Sequence, residues 1–170
     1  MPLRLDSAAA GLVDWTVGSA LPLWANAGFD PDHDRFEERL TLDGDRLPDV
    51  PIRLMSQARQ VHAYALAARR GWQGDALSLV ERAFAAMVRD YHRADGAEGW
   101  VFSIRRDGTV ADGRRDLYSH AFALLAIASY VQATGRSDVL SLADDTLGFL
   151  DGRMAAPGGL HVGRDRQQRE

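Results

Sequence analysis

The feature that most limits how this chain can fold is that it repeats itself. A segment of helical apolar spacing, a short link with a glycine, a second such segment and a glycine-aromatic stretch that reads as a strand occur as residues 52 to 103 and again as 116 to 163. Gly71 and Gly135 in the two links lie 64 residues apart, and Gly99 and Gly159 in the strand-like stretches lie 60 apart. The first helical segment with residues 28 to 42 reads as the last part of an earlier copy. Paired helices of this kind, one apolar nearly all round and one amphipathic, cannot cover their own faces, so they stack or close into a ring. The pattern predicts an all-α chain, an α/α barrel of alternating inner and outer helices with short β-hairpin loops. A ring of six such pairs requires well over roughly 300 residues, so 170 supply about half. The expectation is one partial barrel domain over 1 to 170, a fragment ending on the polar tail 164 to 170. A missing C-terminal half-barrel or a homo-oligomer would complete it.

Each segment carries its own marks. Val13, Val17, Ala20, Leu21 and Trp24 share one face of a helix over 7 to 27, with Asp6 or Ser7 as its cap and a bend at Pro22. A rival reading is a signal peptide, because Arg4 precedes an apolar run and Ala25-Asn26-Ala27 imitates a cleavage site; Asp6, Asp14 and two tryptophans argue against it. No run approaches ~20 uncharged apolar residues, so no membrane span is expected, and a cytoplasmic location is. Asp30, Asp32 and Asp34 imitate a calcium loop, but Arg35 and Thr41 stand where glycine and glutamate are needed, leaving a turn of solvated acids. Phe36 to Leu42 alternates and meets the turn Asp43-Gly44, as a short strand or hairpin does. Residues 74 to 91 form an outer amphipathic helix, and 117 to 134, capped by Asp116 and stopped by Gly135, one buried on most sides. A last helix runs from Ser137 or Asp138 to about Leu150.

The helix from Arg53 to Arg70, between Pro51 and Gly71, carries the most suggestive chemistry. Arg53, Gln57, Gln60 and Tyr64 fall on one stripe with Arg59 on the adjoining face, a strip that could line a polar pocket. Whole classes of function drop out on composition. A net charge of -4 argues against nucleic acid, and the arginine pairs at 69 and 70, 105 and 106, and 114 and 115 read as solvated surface. With no cysteine and with all 20 basic residues arginine, thiolate sites, a Walker phosphate loop and lysine Schiff bases are excluded.

The succession Trp24, Gly28, Asp30, Asp43-Gly44, Gln57-Ala58-Arg59, Gly99-Trp100-Val101-Phe102-Ser103, Asp107-Gly108, Asp116 to Phe122 and Gly158-Gly159 resembles the N-terminal half of the N-acylglucosamine 2-epimerase family. That family includes D-mannose isomerases and cellobiose 2-epimerases and folds as a six-hairpin α/α barrel. Asp34-Arg35-Phe36 departs from its usual Gly-Gly-Phe. The resemblance implies isomerisation or epimerisation at C2 of an aldose, with a sugar as partner and neither metal nor organic cofactor. It implies that Arg59 binds the sugar and stabilises the enediolate, that Tyr118 as a substrate contact and His120 as a second catalytic candidate stand at the mouth of the next inner helix, and that Trp100 helps close the sugar site; Gln57 joins these as a substrate contact. His120 points away from Tyr118 on an ideal helix, and a satisfied core histidine is its bland alternative. His62 and His92 read as structural or solvated, His33 belongs to the acidic turn, and His161 lies in the terminal glycine loop. The family's acid and base histidines lie on later helices, so this chain alone is expected to bind sugar weakly without turnover. Two further readings are a noncatalytic carbohydrate-binding half-barrel and a glycoside-processing barrel using carboxylates among Glu98, Asp112 and Asp116.

Overall fold

The computed structural model describes residues 5 to 156 together with 159 and 160, and side chains from 7 to 156. The first helical stretch is α1 (Leu5–Trp15), a π-helical turn (Thr16–Ala20) and α2 (Leu21–Asn26) without a break. Asp6 and Ser7 therefore lie inside α1 rather than capping it. The π turn has a cause: Pro22 has no N–H to give to Gly18 and its ring crowds that carbonyl, and Leu21 N–H instead reaches back five residues to Thr16 O. Leu21, Trp24 and Ala25 pack on the core, so the stretch that imitates a cleavage site sits in the folded layer.

Strands β1 (Phe29–Asp30) and β2 (Arg35–Phe36) form a hairpin. The expected longer strand to Leu42 reduces to β2 and one isolated bridge, Leu40 to Arg46, around the Asp43-Gly44 turn. Next come β3 (Ile52–Arg53), α3 (Leu54–Arg69), α4 (Ala76–Tyr91), β4 (Ser103–Ile104), β5 (Val110–Asp112), α5 (Leu117–Thr134), α6 (Leu140–Arg153) and the pair β6 (Ala155–Ala156) and β7 (Gly159–Leu160). β3, β4 and β5 make one antiparallel sheet. The predicted stops hold, since Gly71 and Gly135 take φ of 75° and 74°, where a side chain is strained. Asp116 caps α5 by accepting from Ser119 N–H at 2.7 Å.

α3 and α5 lie side by side and run the same way, because Arg59 near the start of α3 meets Tyr118 at the start of α5 and Arg69 near its end meets Gln132. α4 crosses behind both, its C-terminal Tyr91 donating to Ile52 O just before α3. The core of Leu54, Ala58, Val61, Ala65, Val80, Phe84, Ala123 and Ile127 fills the space between these three helices. Away from α4, a stripe of α5 comprising Tyr118, Ala121, Leu125, Ala128 and Gln132 is exposed, so α5 is not buried on most sides as its apolar composition predicts. The exposed residues of α3 are Arg59, Leu66 and Arg69, with Arg70 just past its end. Two inner helices backed by outer ones, with all hairpins at one end, make an incomplete ring. Among the described residues no helix is long and apolar enough to cross a membrane.

Candidate functional site

The polar stripe of α3 does not line the hollow. Gln57 is buried and pins the β1–β2 hairpin, its Nε2 donating to Phe36 O at 2.7 Å and its Oε1 accepting from Phe36 N–H at 2.9 Å. Tyr64 is wholly buried, stacks on Phe36 at 5.1 Å and donates to Leu21 O. Arg53 pairs with Glu38, whose carboxylate also accepts the Arg53 N–H at 2.9 Å. The periodicity placed these residues together correctly; the surface they face is the N-terminal hairpin and α2.

Trp100 and His120 lie deeper still. Glycine is required just before Trp100, for Gly99 has φ of 78° and any Cβ there would stand 2.8 Å from His120 Nε2. Trp100 N–H donates to that Nε2 at 3.2 Å, so the His120 proton is on Nδ1, which donates to Asp116 O at 2.7 Å. His120 also stacks on Phe149 at 4.7 Å and is wholly buried. Burial pushes the imidazole below its ordinary 6.5, outweighing the Asp116 carbonyl that favours the charged form. The Trp100 indole donates to Thr146 Oγ1 at 2.8 Å. Neither ring has a surface in this chain for a ligand, and α5 is regular enough that Tyr118 points out where His120 points in.

Tyr118 and Arg59 are brought together on the concave side. Tyr118 is 54% exposed, and Arg59 Nη2 donates to its hydroxyl at 2.8 Å. The guanidinium lies 4.4 Å from the centre of the Phe122 ring, itself edge-on to Tyr118 at 4.9 Å. No carboxylate pairs with Arg59 among the described residues. The guanidinium has donors beyond the one used, and the Tyr118 hydroxyl, having accepted, keeps its own proton to give. Both therefore offer fixed donors to an oxygen-rich ligand. Leu66 and Leu125, also exposed, lie farther along the same faces.

Two loop locks hold this end of the layer, and they overturn the solvated reading for Arg106 and Arg115 and their acids, whereas Arg69, Arg70, Arg105 and Arg114 are exposed as expected. Arg115 is buried, reaches the Asp95 carboxylate with both nitrogens at 2.7 and 2.6 Å, and donates to Ala97 O and Glu98 O. Those bonds hold the Asp95 carboxyl below the ordinary carboxylate range. Arg106 joins buried Asp30 at 3.0 Å and buried Glu37 at 2.6 Å. Arg35, buried where the resembled family has glycine, reaches Asp90 and donates to Arg106 O. Asp34 takes φ of 60°, a backbone that suits glycine, and pairs with Arg82. The carboxylates considered for glycoside chemistry are also engaged: Asp116 in capping, Asp112 with Arg114, Glu98 with Arg153. Among the described residues no group of acids and histidines is placed to hold a metal ion. His33 Nδ1 meets Asp30 and His92 Nε2 meets Asp145, each at 2.8 Å, whereas His161 lies outside the described residues.

Residues 35–169 match the family described as N-acylglucosamine 2-epimerase (GlcNAc 2-epimerase). The chain is 35% identical over 148 residues to a mannose-6-phosphate isomerase of Rhizobium meliloti, covering 82% of this chain and 38% of that one. It is 32% identical over 152 residues to a D-mannose isomerase of Thermobifida fusca, covering 88% and 33%. The solved cellobiose 2-epimerase of Spirochaeta thermophila superposes with a TM-score of 0.76 at 26% identity, over 96% of this chain and 40% of that one. A D-mannose isomerase structure does so with a TM-score of 0.71 at 15% identity, over 89% and 40%. The chain thus spans well under half the length of these relatives and folds as the corresponding part of an α/α barrel. With a family match over most of its length, and with its inner helices and hairpins where such a barrel has them, the chain belongs to the N-acylglucosamine 2-epimerase family.

Proposed function

We propose that this chain forms part of a sugar isomerase or epimerase acting at C2 of an aldose, with Arg59 and Tyr118 as its contribution to the sugar site. The reaction removes a weakly acidic proton beside a carbonyl and passes through an enediolate, whose oxygens gain charge as the proton leaves. Fixed donors aimed at that charge lower the barrier because they need not reorganise when it appears. The single observation behind this reading is Arg59: a guanidinium without a carboxylate partner, held over Phe122 and against Tyr118 on the concave face. Gln57, Trp100 and His120 take supporting roles in it, positioning the hairpin and the start of α5 rather than touching the sugar. The names of the relatives, mannose isomerases and a cellobiose 2-epimerase, favour the same chemistry. The acid and base are assigned to parts of the barrel that this chain lacks, the cytoplasm is the proposed location, and no metal or organic cofactor takes part.

The test is a titration of the purified chain with D-mannose, alongside an assay for D-fructose. Binding without conversion is the expected result, and Arg59→Ala weakens it by about tenfold, the loss of one charge-assisted hydrogen bond. Equal affinity in Arg59→Ala sinks the assignment of the site. Robust conversion by the chain alone sinks the claim that it is one part of a catalyst.

A further inference from the structure

The geometry points to His62 as a third ligand-contacting side chain on the concave face, accepting a hydrogen bond from a sugar hydroxyl at Nε2. This rests on the sugar-site reading above and extends it. His62 stands one turn after Arg59 on α3, half-buried on the shoulder toward α5. Its Nδ1 lies 2.8 Å from Ser129 Oγ, and Ser129 in turn donates its one hydroxyl proton to Leu125 O at 2.7 Å. Ser129 can then only accept from His62, so the imidazole proton sits on Nδ1. In a neutral ring that leaves Nε2 as a bare lone pair. No donor among the described residues meets it.

The other described histidines lack this combination. His120 has both nitrogens engaged inside the core, His92 spends Nε2 on Asp145, and His33 bonds Asp30 at the turn of the N-terminal hairpin. The chemistry of the face also calls for an acceptor. Arg59 and Tyr118 both donate, and a sugar hydroxyl that accepts from them still has a proton to place. His62 Nε2 supplies that place. The arrangement suits a hydroxyl group, which can accept from Arg59 or Tyr118 and donate to His62 at once.

Two amide substitutions separate the two ring nitrogens. Asn overlays an N–H on the Nδ1 position and lacks an atom at Nε2, whereas Gln reaches the Nε2 position with an amide oxygen and loses the bond to Ser129. Titration of the full chain with D-mannose should show His62→Asn binding about tenfold more weakly with thermal unfolding unchanged, the loss of one hydrogen bond to ligand. His62→Gln should bind within about threefold of the parent and unfold at lower temperature, since it gives up the α3–α5 cross-link instead. A purely structural histidine predicts the reverse order, and His62→Asn binding as tightly as the parent overturns the proposal. So does a ¹⁵N spectrum placing the His62 proton on Nε2. Arg59→Ala in the same series keeps the two failures apart: if it loses affinity and His62→Asn does not, only the His62 role fails, and if neither loses affinity the sugar site itself fails.

Discussion

His120 shows how much a single side chain of this family member does without meeting a ligand. It joins the Gly99-Trp100 loop to the first turn of α5 through both ring nitrogens, and it does so only while neutral. The unfolded chain takes a proton on this histidine below about its ordinary 6.5, while the folded chain, where burial depresses the pKa, resists it. Unfolding therefore takes up a proton, and stability is lost as pH falls below about 6.5. Urea unfolding at pH 7.5 and 5.5 checks this: His120→Gln is less stable than the parent at pH 7.5 by about 1–3 kcal/mol for the disturbed bonds, but loses less between the two values. An identical pH response in parent and variant contradicts the assignment. That Tyr118 and His120 diverge was legible from their spacing of two; that the ring closes on Trp100 N–H was not, since the partner lies 20 residues upstream.

At the scale of elements, the hairpins at the helix ends depend on ion pairs that span long stretches of chain. Arg106 reaches 76 residues back to Asp30 and 69 back to Glu37. Removing it takes one partner from each of two buried carboxylates, leaving Asp30 with His33 and Glu37 with the more distant Arg46, at a cost of roughly 1–3 kcal/mol. Arg105, exposed and bonded within its own turn, should cost under about 0.5 kcal/mol when replaced by Ala. Thermal unfolding of Arg106→Ala and Arg105→Ala measures the contrast, and equal effects would show the lock to be inconsequential. Here the limit of sequence reading is physical. Periodicity states which residues share a face, so the stripe Arg53, Gln57 and Tyr64 was found, but not which neighbour covers that face. Arg106 and Arg115 read as solvated because their acids are remote in sequence. Helix identities, the Asp116 cap and the glycine stops were all readable, because each depends on residues within one turn.

At the scale of the whole molecule, the open layer leaves apolar surface at its edge. Leu12, Val13 and Val17 of the first helical stretch, with Leu66 and Trp72, border a groove of about 660 Å³, and Leu12 is 64% exposed. A patch of this kind binds the dye ANS. Replacing Leu12 and Val13 by Glu should lower the dye's fluorescence while unfolding free energy changes by less than about 0.5 kcal/mol, since both side chains already face water. A large loss of stability instead would mean that they are packed. The ring architecture was predictable from the repeat, because paired helices must hide their apolar faces; the open α5 stripe was not, because composition alone cannot tell a face turned to a hollow from one turned to the core. The shared direction of α3 and α5 has one more consequence. Their peptide dipoles add at the end where Arg59 and Tyr118 meet, each equivalent to about half a positive charge. At α5 the capping Asp116 carboxylate already meets that partial charge, so in a chain of net charge -4 it is the Arg59 guanidinium, with no carboxylate partner among the described residues, that gives this rim its pull on electron-rich oxygen.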